Sequence, residues 1–267
     1  MENPDAGVAV VEDGAVLRLT LDRPKAGNSI GRATTQALLE ALDLAMDSSR
    51  VRVIALSATG KDFCSGVDLK EANAPTAEKP RVGHISRRIA TSTNRLVQAF
   101  AEVQIPVVVG VRGWAAGVGN TLALSGDYIV ASETARFWTP FVTRGFSPDS
   151  GSTYLLPRLI GPTRAKEMLM LGRPVDAPKA LGWGMVNEVV ADDTLEDAFE
   201  RAVAEFASAA TVAVGCAKNL VHRNLEVDLG HALANEAAME EVSLRSEDFK
   251  LGITAFATRQ PVEFTGR

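Results

Sequence analysis

The spacing of apolar residues changes period several times along the chain, and each change marks an element. Val16-Leu17-Arg18-Leu19-Thr20-Leu21 alternates at period two, which predicts a strand with one buried face. From Thr34 to Met46, the residues Leu38, Leu39, Leu42 and Met46 recur at helical spacing. Val51–Leu56 and Pro106–Val111 are short, β-branched apolar runs that predict buried strands. Between them, Ile85–Val103 predicts one helix with Ile85, Ile89, Leu96, Val97 and Phe100 facing inward. Tyr128–Ala131 and Val186–Val190 read as two further short strands. From Leu195 onward only helical spacing appears: Phe199, Val203 and Phe206 suit one helix, and Leu229, Leu233 and Met239 another. Strands alternating with helices, then helices alone, predict an α/β core over 1–194 and a C-terminal helical segment over 195–267. Ala72–Pro80 is rich in Ala, Pro, Lys and Glu without a period, so a loop bordering a site is expected there.

Composition narrows the class. The chain has 267 residues, 46% hydrophobic and 23% charged, with a net charge of −5, values of an ordinary globular protein able to bury a sizeable core. That balance predicts neither nucleic acid nor an anionic membrane as a bulk partner. The two cysteines, Cys64 and Cys216, are far apart and suggest no disulfide framework. The three histidines, His84, His222 and His231, lack metal-ligand spacing. With no apolar leader or eighteen-residue apolar run, a cytoplasmic location is expected.

Two glycine-containing segments carry the chemistry. Asp62-Phe63-Cys64-Ser65-Gly66-Val67-Asp68-Leu69 follows the Val51–Leu56 run, and Gly113-Trp114-Ala115-Ala116-Gly117-Val118-Gly119-Asn120 follows Pro106–Val111. Glycine at a strand end lets the backbone approach a ligand closely. Amides at a helix start point outward, unpaired, at a partly positive end. Two such ends facing one spot would form an oxyanion hole. Cys64, with no nearby histidine in sequence to activate it, reads as a small buried residue.

These segments resemble the crotonase superfamily, the enoyl-CoA hydratase/isomerases. The resemblance extends over nearly the whole chain: Asp22-Arg23-Pro24-Lys25-Ala26-Gly27-Asn28-Ser29, then Gly145-Phe146-Ser147-Pro148-Asp149-Ser150-Gly151-Ser152, then Ala180–Val189, then Phe249–Phe256. It implies an α/β fold of the crotonase (ClpP/crotonase-like) type, a spiral of ββα units whose C-terminal helices pack between subunits of a homotrimer or homohexamer. It implies an acyl-CoA thioester as substrate and no separate cofactor. The hole amides would belong to Val67 and Val118, the second replacing the family's usual glycine. Lys25 would approach the pyrophosphate and Arg259 the 3′-phosphate of CoA. Ser65, Gly66 and Leu69 would follow the adenine and pantetheine, Asp68 would brace that loop, and Gly117 would turn the second one. Trp114, Trp138 and Phe141 would wall the acyl end.

The family's hydratases use two glutamates, and the matching positions here hold Thr121 and Phe141. Neither activates water as a carboxylate does. Asp149 lies eight residues beyond Phe141, where the family's isomerases resemble this chain and keep an acid/base. Asp149 also suits a helix N-cap. The leading expectation is an enoyl-CoA isomerase in which Asp149 shuttles a proton and the two amides hold the enolate oxygen. The alternatives are a hydratase, an aryl-CoA dehalogenase-like hydrolase using Asp149 as nucleophile and His84 as base, and a non-catalytic acyl-CoA-binding protein.

Overall fold

The computed structural model describes residues 6–74 and 81–267. In chain order the elements are β1 (Val8–Asp13), β2 (Val16–Leu21), α1 (Arg32–Asp47), β3 (Val53–Ala58), α2 (Leu69–Ala72), α3 (His84–Ala90), α4 (Thr93–Glu102), β4 (Val107–Val111), β5 (Trp114–Ala116), α5 (Val118–Leu124), β6 (Tyr128–Ser132), β7 (Arg136–Trp138), α6 (Ser152–Leu171), β8 (Val175–Asp176), α7 (Ala177–Trp183), β9 (Glu188–Val190), α8 (Leu195–Ser208), α9 (Thr211–Asn224), α10 (Leu229–Leu244) and α11 (Glu247–Thr258). Gly161 interrupts α6 with φ 76° and ψ 159°, so that helix is two segments across a kink.

The first strand of each unit enters a six-stranded sheet of order β1-β2-β3-β4-β6-β9, and later strands form a small sheet β5-β7-β8. The β1–β2 pair is antiparallel, while β2 through β9 in the large sheet are parallel. Two isolated parallel bridges, Ile30 with Val67 and Cys64 with Ala115, extend the small sheet's line through the earlier units. Strand, second strand or bridge, then helix, repeated and stacked in parallel, produces the spiral. Alternation decides which residues meet which layer. Ile54, Leu56, Val107 and Val109 face the main core under α1 and α4. Val53, Ala55, Val108 and Val130 point the other way, onto Leu195, Phe199 and Val203 of α8. Arg18 on that second face donates to both Glu200 carboxylate oxygens at 2.6 and 2.9 Å, fastening α8 to β2.

The sequence-based expectations need three corrections. The single helix expected over Ile85–Val103 is two helices, α3 and α4. The Thr91 and Ser92 hydroxyls donate back to the Arg87 and Arg88 carbonyls at 3.1 and 2.6 Å, and Ser92 leaves helical geometry at φ −121°, ψ −100°. Ile85 is exposed, because α3 has no buried residue, while Leu96, Val97 and Phe100 of α4 are buried as expected. Ala72 closes the short helix α2 and is not part of a loop, and residues 75–80 of that expected loop lie outside the described residues. No helix among the described residues is long and apolar enough to cross a membrane.

Candidate active site

The two glycine turns meet. Cys64 N–H donates to the Trp114 carbonyl at 2.9 Å, and Ala116 N–H donates to the Cys64 carbonyl at 2.8 Å. Past this lacing the chains turn through Gly66 at φ 104° and Gly117 at φ 56°, a region that favours glycine. A Cβ added to Gly66 would lie 3.1 Å from the Ala116 carbonyl oxygen, and one added to Gly117 would lie 3.9 Å from Gly66 Cα. The residues immediately after these touching glycines are Val67 and Val118. Val67 N–H precedes α2, and Val118 is the first residue of α5. Among the described residues neither N–H has a backbone or side-chain acceptor. Cys64 lies beneath them, fully buried, and burial pushes its thiol up to about 12, which leaves it inert as a nucleophile at neutral pH.

Asp149 precedes α6 in a tight turn. Ser150 at φ 52° and Gly151 at φ 78° place two successive residues in the left-handed region. The N-cap of α6 is Gly151, without a side-chain cap, so the carboxylate of Asp149 does not cap that helix; only its backbone carbonyl accepts, from Ser152 N–H and Oγ at 3.1 and 2.9 Å. The side chain is half-buried, and Ser150 Oγ donates to its Oδ1 at 2.8 Å. Burial raises the carboxyl above its ordinary value, and the Ser150 hydrogen bond partly opposes that. A Cβ on Gly151 would lie 3.8 Å from Thr121 Cγ2 of α5 and 3.5 Å from Val97 of α4. The Asp149 turn therefore packs against the helix that Val118 begins. Thr121 is buried, its hydroxyl donating to the Gly117 carbonyl at 3.3 Å.

The other expected residues divide. Phe141 is buried and edge-on to Phe146, with centroids 5.6 Å apart. Trp114 is exposed and lies 5.4 Å from Trp138, whose Nε1 donates to the Gly172 carbonyl at 2.7 Å. Asp68 caps α2, accepting from Lys70 and Glu71 N–H, and pairs with Arg23 at 3.0 Å. Those bonds hold its carboxyl below the usual range, as a structural brace should be. Ser65 and Leu69 are exposed beside this turn, and Lys25 sits exposed in the short 3-10 turn Pro24–Ala26. Arg259, at φ 55°, ends α11; among the described residues no hydrogen bond or ion pair joins it to the hole. His84 is half-buried and lines a cavity of about 550 Å3 that Val67, Ile30 and Asp68 also line. The Arg23–Asp68 pair was invisible in sequence, its partners being 45 residues apart, as was the bond from Ser150 to Asp149, which depends on the turn's backbone. Among the described residues no three metal-ligating side chains converge.

The arrangement is two unpaired amides that follow glycine turns packed against each other, with a half-buried carboxyl on a turn packed against the same helix, built on a crotonase fold. The chain belongs to the enoyl-CoA hydratase/isomerase family, whose model matches residues 12–267. It is 35% identical over 258 residues to the 1,2-epoxyphenylacetyl-CoA isomerase of Escherichia coli, covering 96% of this chain and 97% of that one. It is 34% identical over 266 residues to the carnitinyl-CoA dehydratase of Salmonella enteritidis, covering 97% and 98%. The crystal structure of an enoyl-CoA hydratase from Bacillus anthracis superposes with a TM-score of 0.90 at 28% identity, covering 98% of this chain and 100% of that one. Three relatives, three reactions: membership makes the protein an acyl-CoA enzyme of this family and leaves the reaction to the side chains.

Proposed function

We propose that the protein is an enoyl-CoA isomerase that moves a double bond along an acyl chain held as a CoA thioester. The observation that carries the reading is Asp149: a half-buried carboxyl with a raised pKa, bonded by Ser150 and not engaged in capping α6. A carboxyl tuned upward is a stronger base when ionised, and so better suited to take a proton and give it back. The Val67 and Val118 amides stabilise the enolate oxygen that appears when the proton leaves, a contribution of about 3–4 kcal/mol of barrier per donor. Asp149 then delivers the proton to a second carbon. No separate cofactor takes part; CoA arrives with the substrate, its handle running past Lys25, Ser65, Gly66 and Leu69. Thr121 and Phe141, both buried and neither acidic, argue against water addition by two glutamates.

Two assays test the reading. Asp149→Asn keeps size and removes the proton relay, so isomerisation of 3-enoyl-CoA should fall by about 10²–10⁴-fold, with acyl-CoA affinity changed far less. Hydration of short 2-enoyl-CoA should stay below the ordinary turnover range of about 1–10³ s⁻¹ in the wild type. An Asn variant with near wild-type turnover, or fast hydration insensitive to Asp149, would sink the assignment.

A further inference from the structure

Helix α11 carries exposed apolar residues and ends at Arg259, yet of its twelve residues only Asp248 is buried. What fastens it lies after it in the chain. The backbone reverses at Arg259, in the left-handed region at φ 55°, and residues 260–267 run back along the helix. Gln260 N–H donates to the Ala255 carbonyl in the last turn at 3.0 Å. A Cβ on Gly252 would lie 3.4 Å from the Phe264 ring, so that ring packs on the middle of the helix. Asp248 N–H, one of the amides a helix start leaves without an internal partner, donates to the Arg267 carbonyl at 3.0 Å. Each step backwards along α11 meets a residue further along the returning segment.

Two charged side chains grip that segment. Asp248 accepts on both carboxylate oxygens: Oδ1 from Thr265 N–H and Oγ1 at 2.6 and 2.9 Å, and Oδ2 from Gly266 N–H at 2.8 Å. Arg52, just ahead of β3, donates to the Phe264 carbonyl at 2.9 Å, to the Ala209 carbonyl after α8 at 2.6 Å and to Thr211 Oγ1 of α9 at 3.0 Å. The returning segment is thus bonded to α11 on one side and to the body of the fold on the other. We infer that residues 260–267 are a strap that mounts α11 on the core, that Asp248 is the positioning residue that closes it, and that Arg259 is what it positions. A buried carboxylate is stable only where donors satisfy it. Among the described residues every side-chain bond of Asp248 goes to the strap, so a loosened strap leaves α11 either to bury an unpaired charge or to detach. Left-handed geometry at a non-glycine residue persists where the surroundings enforce it, and the strap's return enforces it at Arg259. The role in ligand binding rests on the reading of Arg259 as a contact for the 3′-phosphate of CoA; the mounting of α11 does not.

Hydrogen exchange and calorimetry on the intact protein test the two parts separately. Asp248→Asn keeps size but offers one acceptor oxygen, and its NH2 group would face a donor of the strap. Exchange of the α11 amides should quicken at least about tenfold, the worth of one well-made charged hydrogen bond, with β3 and β4 amides unchanged. Gly266→Ala strains the strap without touching Asp248, since φ there is 79° and the added Cβ would lie 3.1 Å from Arg52 Nε and Thr211 Oγ1. It should quicken α11 in the same sense. Both variants should lose the preference for CoA over 3′-dephospho-CoA by the same factor as Arg259→Ala. Unchanged α11 protection in both variants, or protection lost equally from β3 and β4, would overturn the strap. Faster α11 exchange with the phosphate preference intact would overturn the positioning of Arg259. If Arg259→Ala itself leaves that preference unchanged, the phosphate reading fails, and the exchange rates still decide whether the strap mounts α11.

Discussion

At the scale of single residues, Asp149 and Ser150 form a unit whose parts pull in opposite directions. Burial disfavours the carboxylate and the Ser150 hydroxyl favours it, so the balance sets where the acid/base titrates. The proton-abstracting form is the carboxylate, so activity should rise with pH through a value above that of an ordinary aspartate. Ser150→Ala removes the opposing bond, and the acidic limb of the kcat/KM profile should move to higher pH; a profile unchanged by the substitution would show that the hydroxyl does not touch the working carboxyl. The same imbalance has a sign in stability. A carboxyl whose folded pKa is raised binds its proton more tightly in the folded state than in the unfolded one. Its contribution to stability is therefore fully present below the ordinary carboxylate pKa and falls as pH rises toward the folded value. Asp149→Asn should accordingly raise Tm slightly at pH 7 and lose that advantage at pH 3, a crossing that thermal denaturation at the two pH values would reveal. Ser150, buried and non-glycine in the left-handed region, adds local strain of the kind that persists where surrounding structure enforces it.

At the scale of elements, α5 aims the second amide, and its position is fixed by contact with the first turn. A Cβ on Gly119 would stand 2.6 Å from Cys64 Cβ and 2.7 Å from Cys64 O and Sγ, so α5 sits directly on the strand end that leads to Val67. Gly119→Ala should force α5 away, destabilising the fold by about 1–3 kcal/mol in urea unfolding. Displacing the Val118 amide should lower kcat by up to about 10²–10³-fold, the cost of one lost donor. An Ala variant with unaltered kcat would mean that the second amide is not used. This seating explains what the sequence could and could not reveal. The alternation in Val16–Leu21 exposed β2 because one face is buried and the other carries Arg18 and Thr20. The β-branched runs exposed β3 and β4, and the two glycine turns marked the strand ends. The strands of the small sheet, β5, β7 and β8, have only three, three and two residues, too few to show a period. Their existence follows from long-range pairing, as does the bridge of Cys64 with Ala115 that brings the two turns together. Asp149 was legible as a position in a familiar loop, but its freedom from capping duty depends on Gly151 taking the cap, which only the backbone shows.

At the scale of the molecule, the C-terminal helices divide into those that complete the core and those that do not. α8 covers the second face of the large sheet, and α9 is tied in by Lys218, whose buried ammonium donates to Asp127 Oδ2 at 2.7 Å. α10 buries no residue at all within the chain. Leu229 and Leu233 on it are 73% and 55% exposed, Val221 on α9 is 63% exposed, and Phe256 on α11 is 85% exposed. Large apolar side chains left exposed on three neighbouring helices make this end of the chain a candidate interface, since large exposed apolar patches mark interaction sites. The proposal that follows is a homotrimer or homohexamer assembled through α10 and its neighbours. Light scattering at micromolar concentration should then give three or six times 28.3 kDa. Leu229→Asp with Leu233→Asp should shift the mass toward a monomer and lower Tm, because two charges would be buried without counter-ions at the interface. The consequence reaches the site through Arg259. That residue ends α11, exposed, and among the described residues no hydrogen bond or ion pair joins it to the Val67 or Val118 turn. If assembly carries it to the CoA of a neighbouring protomer, the monomeric variant should lose affinity for free CoA about as much as Arg259→Ala does in the intact oligomer. Combining the two changes should add little further loss, as expected of two lesions that remove one contact. A wild-type monomer in solution, or a dissociated variant with unchanged CoA affinity, would separate Arg259 from the site and leave the exposed helices without a catalytic role.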